Sequence, residues 1–168
     1  MSRVVIGFKT SPQGVDWPVL DETWAAAGEL PAFEAAWLND HLTDPLVDRG
    51  GSSLEPLAVA AALAHHVPGR SIGVAVLSNT FRQPAVLAKQ ATALDLITGG
   101  RFILGLGAGW HEGEHDAFGI PLQPIGERIS RLESAVRVLR ALGSVEAATP
   151  PGVSLDDPWY PLRDALNL

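Results

Sequence analysis

The sequence predicts an α/β fold in which four consecutive β-α units build a parallel sheet. Three observations carry this reading. Short apolar runs alternate with longer stretches in helical spacing. Three of the four runs are apolar almost without interruption, the pattern of strands covered on both faces, and parallel strands need helical crossovers. The polar and glycine-rich residues collect just after the runs, where the carboxyl ends of parallel strands share one face in a barrel or an open α/β sheet.

The elements follow in order. Residues 4–8 (VVIGF) read as strand one. Asp16 or Trp17 opens a helix carrying Leu20, Trp24, Ala27 and Leu30 at three- and four-residue spacing. Residues 33–38 (FEAAWL) read as strand two, ending in Asn39-Asp40-His41, and residues 42–53, with Pro45 and Gly50-Gly51, read as loop. Glu55-Pro56 starts an Ala- and Leu-rich helix to His66, since proline suits a first helical turn, and Pro68-Gly69 stops it. Residues 71–77 (SIGVAVL) are strand three, ending in Ser78-Asn79-Thr80. A third helix runs from Pro84 to about Ile97 and ends at Gly99-Gly100, where glycine enters the left-handed region at little cost. Phe102-Ile103-Leu104 with Leu106 form strand four, and Gly105, Gly107 and Gly109 fall on alternate positions, which lets the strand tip lie close to a flat ligand or to another segment. Residues 110–124 read as loop. A fourth helix, from about Gly126 to Leu142, shows a stripe of Ile129, Leu132, Val136 and Leu139 and an i,i+4 pair of Glu133 with Arg137. Domain boundaries follow: residues 1–143 hold the β-α units, and residues 144–168 form an irregular segment with two possible short strand pieces.

Composition narrows the function. The chain has 168 residues, 46% of them hydrophobic and 18% charged, enough for one domain with a core. A net charge of −7 argues against nucleic acid or an anionic membrane surface as the main partner. With no cysteine, thiolate catalysis, disulfides and Cys-ligated metals are excluded. The start lacks a signal-peptide core and no apolar run is long enough to span a membrane, so the expected location is cytoplasmic.

Several segments carry a sharp reading beside a plain one. His111-Glu112-Gly113-Glu114-His115 is literally H-E-x-x-H, which on a helix sets two histidines toward zinc. Here it follows a strand tip, Gly113 weakens a helix, and no third ligand is evident, so no metal is expected. Gly105-x-Gly107-x-Gly109 is not a dinucleotide fingerprint; the glycines serve either packing or a ligand. His65-His66 closes a helix, where histidine complements the dipole. Arg128 and Arg131 read as exposed or paired on the fourth helix.

WLNDHL, EPLAVAAAL, VLSNTFRQPAVLAKQATALDLITGGRFILGLGAGWHEGE and FGIPLQPIGERISRLESAVRVLRAL, taken in this order and spacing, resemble the luciferase-like monooxygenase family. They look most like its branch that uses the deazaflavin coenzyme F420, with a weaker echo in DPWYPLRDAL. The resemblance implies a (β/α)8 TIM barrel with parallel strands and outer helices, of which this chain holds the first four β-α units, an incomplete barrel. It implies F420, or alternatively FMN, at the carboxyl-end face, and hydride transfer to or from a small organic substrate, or flavin-dependent monooxygenation. By position it implies that His41 is the catalytic base and that Asp40 orients its ring or contacts the cofactor. Ser78 and Asn79 fall where the family often carries a non-proline cis peptide behind the cofactor ring, and Thr80 is a further ring contact. Gly107, Ala108, Gly109 and Trp110 match the strand tip lining the cofactor pocket. A complete barrel needs roughly 250 residues, so the later strands that supply much of the family's phosphate and tail binding are missing from this chain. Two unpaired sheet edges are therefore expected. The chain is read as a truncated piece, as a homo-oligomer or with a partner that completes the barrel, or as a non-catalytic half-barrel.

Overall fold

Each parallel strand pairs with the next in chain order. The computed structural model describes residues 4–45 and 53–167. Strands β1 (Gly7–Thr10), β2 (Ala35–Leu38), β3 (Ser71–Ser78) and β4 (Phe102–Gly107) form one sheet in the order β1-β2-β3-β4, with helices α1 (Trp17–Gly28), α2 (Pro56–Leu63) and α3 (Pro84–Thr98) between them. β1 and β2 are parallel with Gly7 opposite Ala35, and β2 and β3 with Ala35 opposite Ser71. Four parallel strands alternating with helices are the start of a TIM barrel. After β4 come α4 (Glu112–Phe118), α5 (Ile125–Leu142) and an antiparallel pair, β5 (Val153–Leu155) and β6 (Leu162–Ala165). By contacts the chain forms two compact units, one holding the residues up to Leu77 with Leu94–Gly105, the other Ser78–Ala93 with the residues from Leu106 on.

In the first unit the apolar faces close around Leu20, Trp24, Leu38, Leu63 and Ile72, all buried. The Trp24 indole N–H donates to Thr10 Oγ1 at 2.8 Å, so its one polar atom is satisfied, and its ring meets Phe8 edge-on at 5.2 Å. Sequence patterning placed strand one at residues 4–8, but β1 starts at Gly7 and Val4, Val5 and Ile6 are exposed. A strand extends only as far as its partner, and β2 begins at Ala35; the last upstream rung is Glu34 N–H to Ile6 O at 2.8 Å. Strands one and four were also expected to be covered on both faces. Of these strands only the inner β3 approaches that; β1 and β4 are the sheet's outer strands, β1 alternating exposed with half-buried residues and β4 half-buried apart from the exposed Ile103. The end of α3 follows the sequence closely. Gly99 and Gly100 have φ of 67° and 80°, and their N–H groups donate to Leu96 O and Asp95 O, the paired bonds of a Schellman cap. The α2 run ends at Leu63 and tightens into a 3-10 turn, Ala64–His66. Gly50 and Gly51 lie outside the described residues.

In the second unit α5 does not bury the expected stripe. Its buried residues are Ser134, Ala135, Val138 and Leu142, while Ile129 is exposed. The reason is tertiary: the β5–β6 pair brings Val153, Leu155, Tyr160, Leu162 and Ala165 against Val138, Leu142 and Ala88. Arg137 likewise turns to Asp157, donating through Nε at 3.0 Å and Nη2 at 2.7 Å, and not to Glu133 as its spacing predicts. Residues 110–124 are not all loop, because α4 forms within them. His111 caps it by accepting the Glu114 N–H on Nδ1 at 3.1 Å, and Gly119 ends it in the left-handed region. No helix among the described residues is long and apolar enough to cross a membrane.

Asp157 anchors the C-terminal pair. Burial alone raises a carboxyl pKa, but the Trp159 N–H, the Arg137 guanidinium, the Tyr160 N–H and the Ser134 hydroxyl together hold this one at about 2. A carboxylate depressed in the folded state contributes stability in full above its unfolded pKa, and that contribution is lost as pH falls through the folded value. Urea midpoints should therefore fall between about pH 4 and pH 2. Asp157→Asn should cost about 1–3 kcal/mol at neutral pH, and its deficit relative to wild type should shrink in acid. A second pair tests packing. A Cβ at Gly28 would lie 2.1 Å from His66 O, whereas one at Gly126 meets nothing within 4 Å. Gly28→Ala should cost about 1–3 kcal/mol, and Gly126→Ala, in the first turn of α5, should stabilise by about 0.4–1 kcal/mol; the same urea curves read both.

Candidate functional site

The second unit gathers the residues that follow β3 and β4. Asn79 N–H donates to Gly107 O at 2.8 Å, carrying the ladder one rung past β3, and Phe81 N–H closes a turn onto Ser78 O at 3.2 Å. Inside this turn Ser78 Oγ lies 2.7 Å from Thr80 Oγ1, and Thr80 Oγ1 lies 2.7 Å from His115 Nε2. His115 Nδ1 lies 2.7 Å from the carbonyl of His111. A carbonyl only accepts, so Nδ1 carries a proton; in the neutral ring Nε2 then accepts from Thr80, whose own oxygen accepts from Ser78. His115 is fully buried, with Phe81 against its ring at 5.0 Å. Helix α4 thus pins the strand-three tip from one side.

Gly109 pins it from the other. Its φ is 79°, and a Cβ there would lie 2.6 Å from Thr80 Oγ1 and 2.8 Å from Ser78 Oγ. Both conformation and space demand glycine. Its carbonyl accepts a hydrogen bond from Arg128 Nη1, reaching up from the first turn of α5. Of the predicted residues, the fold therefore brings Ser78, Asn79, Thr80, Gly107 and Gly109 together. Ala108 is half-buried between them, and Trp110 is 65% exposed, edge-on to His111 at 5.0 Å. Asp40 and His41 stand just after β2 in the first unit. Asp40 is buried, and the His41 carbonyl accepts from Ser53 Oγ at 2.7 Å and Gln13 Nε2 at 3.4 Å. The non-proline cis bond does not fall at Ser78-Asn79. It lies at Ala75-Val76, within β3, while Asn79 continues the ladder to Gly107. Lys9 Nζ donates to the carbonyl of Ala75 at 2.7 Å.

Sequence reasoning missed two features. The first is His115, visible only as half of H-E-x-x-H. The motif does sit on a helix, contrary to expectation, but His111 Nδ1 caps that helix and both nitrogens of His115 are engaged. Among the described residues, the group of three side chains able to share a metal is instead Asp21, His65 and His66, where His66 Nε2 lies 2.8 Å from Asp21 Oδ1. The second is a cavity of about 210 Å³ beside the strand-three tip, with Asn79, Thr80, Arg82, Gln123, Arg128 and Arg131 among its walls. The sequence predicts the arginines at 128 and 131 to be exposed or paired. Arg131 is paired, with Glu127 at 2.7 Å, and lies 4.2 Å over the Trp159 ring; Arg128 is drawn inward to Gly109.

The hydroxyl relay makes a direct prediction. Thr80→Val keeps shape but leaves buried partners unmatched, and it should cost about 1–3 kcal/mol. Thr80→Ser should recover most of that loss. Gly109→Ala should cost more than either, since strain and overlap add; thermal melts of the three variants rank them.

Comparison with known proteins places this geometry. The family model described as luciferase-like monooxygenase matches residues 19–152. An F420-dependent glucose-6-phosphate dehydrogenase from Kribbella flavida is 35% identical over 161 residues, covering 95% of this chain and 46% of that protein. A phthiodiolone/phenolphthiodiolone dimycocerosates ketoreductase from Mycobacterium bovis is 32% identical over 159 residues, covering 84% of this chain and 40% of that protein. Among solved structures, an F420-dependent secondary alcohol dehydrogenase in complex with an F420-acetone adduct superposes with a TM-score of 0.83 at 21% identity, covering 99% of this chain and 48% of the other. The chain thus spans about half the length of the curated relatives it matches. With the family model matching most of its length and the parallel β-α order described above, the chain belongs to the luciferase-like monooxygenase family.

Proposed function

We propose that this chain carries part of the cofactor site of an oxidoreductase that moves a hydride between coenzyme F420 and a small organic substrate. What supports this most is its likeness to the F420-dependent dehydrogenase of Kribbella flavida over 95% of its own length, with Asp40-His41 directly after β2. The residues present fit a flat ring. Gly107, Ala108 and Gly109 offer backbone with no side chain larger than a methyl, and the Trp110 indole is largely exposed beside them.

When bound, the deazaflavin supplies the hydride chemistry. The protein's share is positioning and proton handling. Gly107 to Trp110 would hold the ring, and Ser78, Asn79 and Thr80, their turn locked by His115, would support it. His41, half-buried, takes the substrate hydroxyl proton on a ring nitrogen in the oxidation direction and returns it in the reduction direction. Asp40, buried, orients that imidazole or contacts the ring. The substrate belongs to a small-molecule class that the rest of the site selects. In the cell the half-length chain works with a second copy or a partner that completes the barrel, in the cytoplasm.

The test is a titration of the 168-residue chain with F420 and with FMN, followed by fluorescence, with the molecular size measured in the same buffer. Saturable F420 binding at micromolar concentration by a discrete dimer is the expected result. Tighter FMN binding transfers the reading to a flavin monooxygenase, and binding of neither cofactor overturns it for this chain. In a binding-competent assembly, His41→Asn should leave cofactor affinity within about threefold and lower turnover by about 10²–10⁴.

A further inference from the structure

Helix α1 and the turn that closes α2 bring together three side chains of metal-ligating type. Asp21 stands in the second turn of α1, and His65 and His66 end the 3-10 turn; all three lie in the first unit. One nitrogen or oxygen atom from each lies within 4.8 Å of the others. His66 Nε2 is 2.8 Å from Asp21 Oδ1, 45 residues away along the chain. The two imidazole rings lie against each other, with centroids 3.8 Å apart and a tilt of 39°. The His65 ring adds an independent observation. Its Nδ1 lies 2.7 Å from the carbonyl of Ala62. A carbonyl only accepts, so Nδ1 carries the proton, and in the neutral ring Nε2 keeps the lone pair. Histidines that ligate metals are held in this manner, by donating the other ring N–H to a carbonyl or a carboxylate. The frame beneath is fixed as well. Arg70 Nη1 donates to Ala27 O at 3.0 Å, and Gly28 packs so closely on the turn that a Cβ would lie 2.1 Å from His66 O. These contacts hold α1 against the turn, while the exposed His65 and the half-buried Asp21 and His66 leave the cluster open to an ion from solvent.

We propose that Asp21, His65 and His66 bind a divalent transition-metal ion of the zinc class. Two imidazoles and one carboxylate are a donor set that such ions take, whereas magnesium and calcium select oxygen. With three protein ligands, the fourth tetrahedral position belongs to water. Donor atoms around tetrahedral zinc sit about 3.3 Å apart. That spacing falls between the 2.8 Å of the His66–Asp21 contact and the 4.8 Å that bounds the cluster. Side-chain rotation covers the difference, with His65 exposed. The ion takes the place of the hydrogen between His66 and Asp21, and the neutral His66 ring then carries its proton on Nδ1. The result is a cross-link. Coordination joins α1 to the turn after α2, and because the unfolded chain does not hold the three ligands together, the ion stabilises the first unit by mass action. The proposal does not rest on the cofactor reading above.

The experiment uses the 168-residue chain, stripped with EDTA and dialysed, with no cofactor present, so its failure is separate from failure of F420 binding. Zinc chloride is titrated in a calorimeter, with magnesium chloride as the control, and the histidine ring resonances are followed through the same titration. Saturable zinc binding at micromolar concentration is expected, with shifts of the His65 and His66 signals and a rise in melting temperature that magnesium does not produce. His65→Gln should weaken zinc binding by about tenfold or more. Asp21→Asn keeps a side-chain oxygen for His66 but removes the anionic donor, and it should weaken binding by as much. Glu22→Gln, at the exposed next position of α1, should leave it unchanged. Because His65 is exposed, its variant serves if Asp21→Asn does not fold. Zinc indistinguishable from magnesium, affinity unchanged in both His65→Gln and Asp21→Asn, or binding lost with His111→Gln in their place, overturns the proposal.

Discussion

A parallel strand cannot reach its neighbour by a tight turn. The chain must travel back along the sheet first, and a helix is the compact way to do it while satisfying every backbone group. This one constraint organises the molecule. It forces the β-α alternation and sends each strand through the sheet in the same direction. The carboxyl ends of β2, β3 and β4 therefore deliver Asp40-His41, Ser78-Asn79-Thr80 and Gly107 to Trp110 in turn. Polar and glycine residues follow these strands, at the ends where parallel sheets generally place their sites.

The strand-three tip shows how such a position is made rigid. A turn carrying two hydroxyls is mobile by itself. Here Ser78 and Thr80 are tied to a buried imidazole, the imidazole to the carbonyl of a helix cap, and the turn is pressed against a glycine that no other residue can replace. The cost of burying His115 is met by filling both of its nitrogens. Within H-E-x-x-H, His111 Nδ1 caps the helix and both nitrogens of His115 bond inside the protein.

The balance of charge separates two kinds of ion pair. Asp157 with Arg137 is structural. It is saturated by two backbone N–H groups and a guanidinium, and it fastens the β5–β6 pair to α5. Arg131 pairs with Glu127 within the same helix, and Arg128 reaches the carbonyl of Gly109. All of these residues lie in the second unit.

By itself the sequence determined the order of the four β-α units, the stop of α3 and the strand tips. Those features are local: an apolar run, a proline in a first turn and glycine at 99 and 100 act over a few residues, and each was legible without neighbours. What the tertiary structure alone decided was extent and partner. β1 is shorter than its apolar run because pairing stops where β2 starts. The outer strands are less covered than their composition implies, since burial depends on what packs against them. Arg137 prefers Asp157, 20 residues away, to its helical neighbour Glu133, and α5 rotates its buried face toward the hairpin. His115 meets Thr80, and Arg128 meets Gly109, only through contacts between residues far apart in sequence. Local patterns report which state each segment prefers, but hydrogen bonds and charges choose partners by distance in space, and only the folded chain sets that distance.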